Sequence, residues 1–424
     1  MVSKRIRHVF KVEKESDVKT WNAITANELH GRDGFKKCLK MTLYRPRDVI
    51  ALLNSAFYQA QRQNRSILTE DDFKASSKQI SLTRFDDLRK EYESVLPGIS
   101  SLTTAFSNGA CKYEWINAVK AVETVMAGHG LPQNVMQHFR ILGSGEEALK
   151  SLYGVGFFGI YDKSHGNFVF SHDGKSPDKN FGSSDVLMIH PCYWSALNLN
   201  QEELLPDDAE DIYDEYEITI ASQSTEQRSK QLGQIISALN KIAAGEEGAS
   251  EFEDWCKRAI EIVFARQLSN IQLKANNQAT QRRDIVATNE GLDGFWKRVL
   301  EDYSTRQVVF EVKNYHSIGI DEYRQVHSYL GKEYGKIGFI ICRDSQSGLV
   351  KGRELDAFRE FYGKDSMIIK ITADMLVSML SKLRSPEKFD AGNLALKKSL
   401  DAHIRLYANG QSDISNKKDS GRKK

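Results

Sequence analysis

Apolar residues recur at helical spacing over RPRDVIALLNSAFYQAQRQ (45–63), where Val49, Leu52, Leu53, Ala56 and Ala60 share one face. A second helix is expected at 70–93, with Thr69 as its N-cap and the Pro97–Gly98 pair beyond its end. Residues 36–96 thus read as helical. From Tyr113 to Asn200 the pattern changes. Helices are expected at 113–128 and 132–141, then one capped by Ser144 with Ala148, Leu149 and Leu152 facing inward. The short apolar runs FFGIYD, NFVFSHD and VLMIHP follow, separated by Gly, Ser and Asp, and read as strands. Helices followed by a small β-ribbon form the outline of a winged helix. After an acidic stretch, QRSKQLGQIISALNKIAAGEEG reads as a connecting helix.

The last third alternates between helix and strand. A helix over 251–266 puts Phe252, Trp255, Cys256, Ala259 and Val263 on one face. Strands are expected at IQLK (271–274), DIVA (284–287) and QVVFEVKN (307–314), then a helix at 320–334 and the strand KIGFIICR (336–343). Another helix, the strand MIIKI (367–371) and a helix after Thr372 complete the unit. Three strands in a row, then helix–strand repeats, predict a mixed sheet flanked by helices. The fold class is therefore multidomain α plus α/β, with a helical N-terminal half.

Composition sets bounds on this picture. The chain has 424 residues, 27% charged, and no apolar run of the ~18 residues a membrane span needs. No secretory signal is visible, and five scattered cysteines without a CxxC pair fit free thiols in a reducing cytoplasm rather than a zinc site. The net charge of +2 conceals segments of opposite sign. Residues 1–47 carry twelve Lys/Arg against five Asp/Glu, Glu202 to Glu217 holds nine acids and no base, and the last fourteen residues hold five bases and two acids. Such segments form solvated surface and linker, or meet partners of different charge. No HExxH or GxSxG occurs, and His165, His172 and His190 read as surface or core residues of the ribbon rather than ligands.

One constellation carries chemistry. In QVVFEVKN, Glu311 and Lys313 project from the same strand face, with Phe310 and Val312 on the other. Alone, this is also the pattern of a solvated ion pair. Upstream, however, Asp284 leads the strand DIVA. Two carboxylates converging at strand ends can hold a hard cation such as Mg²⁺, with the Val312 carbonyl as a further ligand. Sharing one ion requires the carboxylates to lie within ~8 Å of each other. Lys313 would orient the attacking water or stabilise developing negative charge. Glu253, one helix earlier, would reach the same cluster, while Gln325 and Tyr329, four apart on a helix, would hold the lysine, a water or a phosphate. Each of these three also has a plain reading as helix surface or rim.

The order Glu253, Asp284, Glu311-Val312-Lys313, Gln325…Tyr329 resembles the PD-(D/E)xK nuclease superfamily, the restriction-endonuclease-like fold, over about 248–384. The terminal helix and strand order are similar to the Mrr-type branch, and the QxxxY spacing to the RecB-like branch. The resemblance implies metal binding by Asp284 and Glu311, water activation assisted by Lys313, and Mg²⁺ as cofactor with Mn²⁺ as a substitute. Arg283 stands where proline would precede the aspartate. The 27-residue gap to Glu311 implies an inserted helix at LDGFWKRVLEDY, which makes Asp293 and Asp302 competitors for the first-acid role.

The N-terminal half carries a second resemblance. RPRDVIALLN, LYGVGFFG and IHPCYWSALN resemble the helical lid and winged-helix region of bacterial P-loop ATPases. No GxxxxGK[ST] occurs, and HDGKSPDK lacks the first glycine, so this chain is expected to have no ATP site. Either the chain is a piece of a larger ATPase, or the ATPase is a partner polypeptide. The expected layout is a lid-like region at 1–100, a winged-helix-like domain at 101–200, an acidic linker and connecting helix at 201–247, a nuclease-like domain at 248–388, and a C-terminal helix with a basic tail at 389–424. The expected function is Mg²⁺-dependent DNA endonuclease, an effector of restriction or anti-phage defence. Its partners would be DNA, an ATPase and a second copy in a homodimer, without membrane attachment. The alternative is a non-catalytic DNA-binding or scaffold protein with a degenerate nuclease fold.

Overall fold

The structure, a computed structural model, describes residues 7, 16–39, 41–42, 46–162, 167–171, 182–200, 220–275, 283–292 and 294–408. The acidic run from Glu202 to Glu217, the basic tail, most of residues 1–15, His165, His172 and Asp293 lie outside the described residues. The chain divides into two compact units, Met1–Ala127 with Ser144–Ser224, and Gly128–Gly143 with Thr225–Lys424. It mixes helix with two sheets. Among the described residues no helix is long and apolar enough to cross a membrane. All five cysteines are buried, and none forms a disulfide.

The first unit opens with helices α1 (Asp17–Asn22), α2 (Gly31–Leu39), α3 (Pro46–Arg62) and α4 (Glu70–Tyr92). The predicted apolar face of α3 is the one that is buried, packed with Trp21, Leu68 and Phe73. At the start of α4 the Asp72 carboxylate accepts from the Thr69 N–H at 2.9 Å, which fixes the expected cap. Buried Arg84 pairs with buried Asp48 at 2.7 Å and joins α4 to α3. The chain continues through α5 (Ile99–Thr104), β1 (Lys112–Glu114) and α6 (Trp115–Met126). The helix expected from 113 thus starts two residues later, because Tyr113 pairs with Leu187 in a strand distant in sequence.

Helix α7 (Gln133–Leu142) belongs to the second unit, and α8 (Gly145–Gly154) returns to the first. Ser144 caps α8 as expected, its hydroxyl accepting from the Glu147 N–H at 3.3 Å. Strands β2 (Phe158–Asp162), β3 (Asn167–Phe170) and β4 (Val186–Ile189) join β1 in an antiparallel sheet ordered β1-β4-β2-β3. His190 is a core residue, its Nδ1 accepting from the Cys192 N–H at 3.2 Å. The short helix α9 (Trp194–Leu197) follows this sheet. The segment expected as one domain at 101–200 is interrupted, since Gly128–Gly143 groups with C-terminal residues. The cause is local. In α7, Gln137 donates to the Val263 carbonyl at 3.3 Å, and Ile141 enters the core of the second unit.

That core is built on helices α10 (Ile220–Leu239) and α11 (Ala249–Val263) and a five-stranded sheet ordered β5-β6-β7-β8-β9. Its strands are β5 (Leu268–Ala275), β6 (Arg283–Asn289), β7 (Gln307–Lys313), β8 (Ile337–Cys342) and β9 (Met367–Thr372). The β5–β6 and β6–β7 pairs are antiparallel, whereas β7–β8 and β8–β9 are parallel. Between β6 and β7 lies α12 (Gly294–Tyr303), the expected inserted helix. Helix α13 (Ile320–Tyr329) precedes β8, α14 (Glu354–Tyr362) precedes β9, and α15 (Ala373–Lys382) and α16 (Ala391–Ala408) follow it. The helix expected to reach 334 breaks at Leu330, which is extended, and Gly331, whose φ of +116° is open to glycine.

Alternation along β7 separates the two faces of this sheet. Phe310 stacks on Phe339 at 4.9 Å, and Trp296 of α12 meets Phe339 at 5.8 Å, filling one face with aromatic rings. The opposite face carries Val309, Glu311 and Lys313, and α13 lies over it. Gly338 permits that approach, since a Cβ there would meet Val326 Cγ1 at 2.6 Å and Val309 Cγ1 at 3.4 Å. Gly338→Ala should destabilise the second unit by about 1–3 kcal/mol through overpacking, measurable by thermal unfolding.

Candidate active site

Asp284, Glu311 and Lys313 meet where β6 and β7 part. Extending the Ile285–Phe310 register by one residue sets Asp284 across from Glu311, and directly opposed side chains share a face. The Asp284 carboxylate takes the place of a backbone acceptor, receiving the Val312 N–H at 2.8 Å. This bond holds the aspartate against the strand that carries Glu311. Two residues along, Lys313 Nζ donates to Glu311 Oε1 at 2.7 Å.

Glu311 is only 1% exposed, whereas the Lys313 side chain keeps 19% of its surface. Its second oxygen, Oε2, is buried without a protein donor. The Asp284 carboxyl lies within hydrogen-bonding reach of the Glu311 carboxyl, so two acceptors face each other and need a shared proton or cation between them. Burial, and then the negative charge of Asp284, push the Glu311 carboxyl up from 4.5 to about 7 against the pull of Lys313. For Lys313, burial pulls the ammonium down, but Glu311 and Asp284 outweigh it and leave the group above its ordinary value. Lys313 is thus a firm cation beside a carboxyl that gains a proton near neutrality.

The flanking residues divide. Gln325 and Tyr329 lie on one face of α13, with Gln325 Nε2 donating to the Tyr329 hydroxyl at 2.8 Å. Burial raises the Tyr329 hydroxyl, the Gln325 hydrogen bond lowers it, and the charges of Glu311 and Asp284 raise it again. Glu253 instead faces Lys274 of β5 at 3.7 Å. Its place one helix earlier in the sequence predicts a common metal cluster with Asp284 and Glu311. Among the described residues, however, no group of three or more His, Cys, Asp or Glu side chains could hold a metal ion. Asp302, the described competitor for the first acid, lies on α12 and pairs with Arg298 at 3.0 Å.

Several residues of this neighbourhood escape a reading of the sequence. Asn314 bonds the carbonyls of Ala243 and Gly245 at 2.8 and 2.7 Å and accepts from Arg343 Nε at 2.6 Å, tying the end of β7 to the turn before α11. Arg343 also lies 4.8 Å from the Phe252 ring centroid, which holds α11 beside β8. Lys370 of β9 is fully buried, donating to Asp344 at 2.7 Å, Glu354 at 2.9 Å and the Gly348 carbonyl at 3.3 Å. Local motifs signal none of these contacts, because each joins residues far apart in sequence. The apolar run of MIIKI, interrupted by one lysine, is the single visible hint.

Comparison with known proteins adds context. Residues 1–89 match the family model of the FunZ-associated C-terminal helical domain. The chain is 46% identical over 409 residues, 96% of its length, to the "Putative transposon gamma-delta 80.3 kDa protein" of Escherichia coli (strain K12), and covers 58% of that protein. It is also 46% identical over 104 residues to "Allergen Alt a 2" of Alternaria alternata, a match that spans 24% of this chain and 55% of the allergen. The chain therefore spans little more than half the length of the longer-matched relative. No solved structure matches.

Proposed function

We propose that the second unit hydrolyses phosphodiester bonds in DNA as a Mg²⁺-dependent nuclease of the PD-(D/E)xK, restriction-endonuclease-like kind. One observation carries the reading. The buried Glu311 carboxyl lies within hydrogen-bonding reach of the Asp284 carboxyl, its Oε2 has no protein donor, and Lys313 holds Oε1 at 2.7 Å. Such a pair fits a small divalent cation, with Val312 offering its carbonyl as a third oxygen. When bound there, Mg²⁺ supplies Lewis-acid polarisation of the phosphate and of the attacking water. The chain's own residues do the rest. Asp284, fixed by the Val312 N–H, and Glu311 orient the site, Lys313 stabilises charge developing on phosphorus oxygens, and the Gln325–Tyr329 pair lines its edge. The mixed antiparallel-to-parallel sheet supports the assignment at the level of fold.

The transposon in that relative's name adds a link to mobile DNA. A winged-helix role for the first unit, an ATPase partner and a place in restriction or antiviral defence extend the proposal. A non-catalytic DNA-binding or scaffold role is the alternative, favoured by the lack of a third acidic ligand among the described residues. Incubating the protein with single- and double-stranded DNA in Mg²⁺ and in EDTA decides between them. Cleavage in Mg²⁺ alone is expected, equal cleavage in EDTA overturns the metal mechanism, and binding without cleavage favours the scaffold.

Proton competition gives a second test. Glu311 keeps its proton in the folded protein up to about pH 7, so folding stability falls as pH rises from 4.5 to about 7. A cation must displace that proton. Mg²⁺ affinity should therefore weaken about tenfold per pH unit below 7 and level off above it, as calorimetry would record. In Glu311→Gln this slope should disappear along with most of the affinity.

A further inference from the structure

Arg283, the residue immediately before Asp284, is half-buried and lies among aromatic rings. Its guanidinium carbon is 4.3 Å from the centroid of Tyr334 and 5.2 Å from that of Tyr329. Its Nε is buried without a hydrogen-bond partner, and no carboxylate pairs with it among the described residues. The rings attract the face of the guanidinium but satisfy none of its N–H groups, which lie in the plane and point outward from its edge. Among the described residues the Asp284 carboxylate accepts from the Val312 N–H, and no ion pair joins it to Arg283. Tyr329 connects the two, because it lies against Arg283 and belongs to α13, which lies over the face that carries Glu311 and Lys313.

A guanidinium held in a fixed plane, with no hydrogen bond or ion pair to its terminal N–H groups among the described residues, matches the geometry of a phosphate that accepts two parallel hydrogen bonds. We propose that Arg283, braced by Tyr329 and Tyr334, grips a backbone phosphate of the DNA strand whose scissile bond lies at Asp284 and Glu311. The inference rests on the nuclease reading and adds a substrate-binding residue to it. Leu330 and Gly331, where α13 breaks, give Tyr334 its place, so the brace depends on that interruption of the helix. The phosphate contact positions the strand and carries no base specificity.

The test is DNA binding by the full chain in EDTA, with a fluorescent oligonucleotide, as a function of salt. Losing one phosphate contact should lower the slope of log K against log salt by about 0.9 for a duplex or 0.7 for a single strand. Arg283→Gln should show that loss, and Arg283→Lys, which keeps the charge, should restore the slope. Oligonucleotides with one neutral methylphosphonate linkage, moved stepwise along the strand, give a readout independent of overall folding. One position should weaken binding by the wild type and leave Arg283→Gln indifferent. An unchanged slope and an unchanged methylphosphonate profile in Arg283→Gln, with wild type that binds and cleaves, would overturn the inference and leave the nuclease reading intact. Wild type that neither binds nor cleaves DNA overturns both.

Discussion

Lys313→Ala should lower Mg²⁺-dependent DNA cleavage by about 10²–10³-fold, the usual effect of removing one stabiliser of transition-state charge. Geometry makes the expectation specific. Lys313 Nζ sits 2.7 Å from Glu311 Oε1, and Glu311 faces Asp284 across the strand junction. The substitution removes the one cation bonded to the acid pair among the described residues, while Asp284 keeps its hold on the Val312 N–H. Single-turnover cleavage of a labelled duplex at saturating protein measures the chemical step apart from DNA binding. The fold should persist, since the lysine is partly exposed, and a melting curve checks it. Retention of wild-type cleavage by Lys313→Ala would remove the residue from the mechanism. Loss of the lysine should also raise the Glu311 carboxyl further, because Lys313 now opposes the effects of burial and Asp284.

Lys370→Ala should cost about 3–5 kcal/mol, the range for removing one partner of a buried ion pair. Lys370 and Glu354 are both fully buried, and Asp344 keeps only 13% of its side-chain surface. Without the ammonium, two carboxylates would remain close together in the core, with the Val350 N–H and the more distant Arg353 guanidinium, 3.5 Å from Glu354, as compensation. Desolvation penalises the lysine's charge, and the hydrogen bonds to Asp344 and Glu354 more than offset it, so the ammonium stays charged. Denaturant unfolding monitored on the second unit should show the loss. A triple variant, Lys370→Met with Asp344→Asn and Glu354→Gln, should recover much of it, since it buries no lone charge. A fall below 1 kcal/mol in the single variant would mean that water or a rearranged neighbour already solvates the cluster. Glu311, Ile340 and Lys370 fall in one register row across β7, β8 and β9, so the cluster also supports the sheet that carries the candidate site.

Much of the second unit was legible in its sequence. Every expected strand there forms, and the inserted helix at LDGFWKRVLEDY is α12. Apolar runs such as FIIC and VVF can be satisfied only by burial on both faces, which makes such strands visible without partners. In the first unit, the local spacing around Tyr113 permits a helix, and a strand distant in sequence claims the residue instead. The acid–acid–lysine set was also legible in type, because period-two alternation puts Glu311 and Lys313 on one face.

Sequence alone determined most elements of the second unit, the separation of faces along β7 and the candidacy of Asp284, Glu311 and Lys313, since these depend on local periodicity and residue chemistry. Tertiary structure decided which groups meet. It brought Asp284 opposite Glu311, gave Glu253 to Lys274, sent α7 to the second unit and put Arg283 on Tyr334. Those outcomes depend on strand register and on competition among charged groups for partners remote along the chain. Neither leaves a periodic trace in the order of residues.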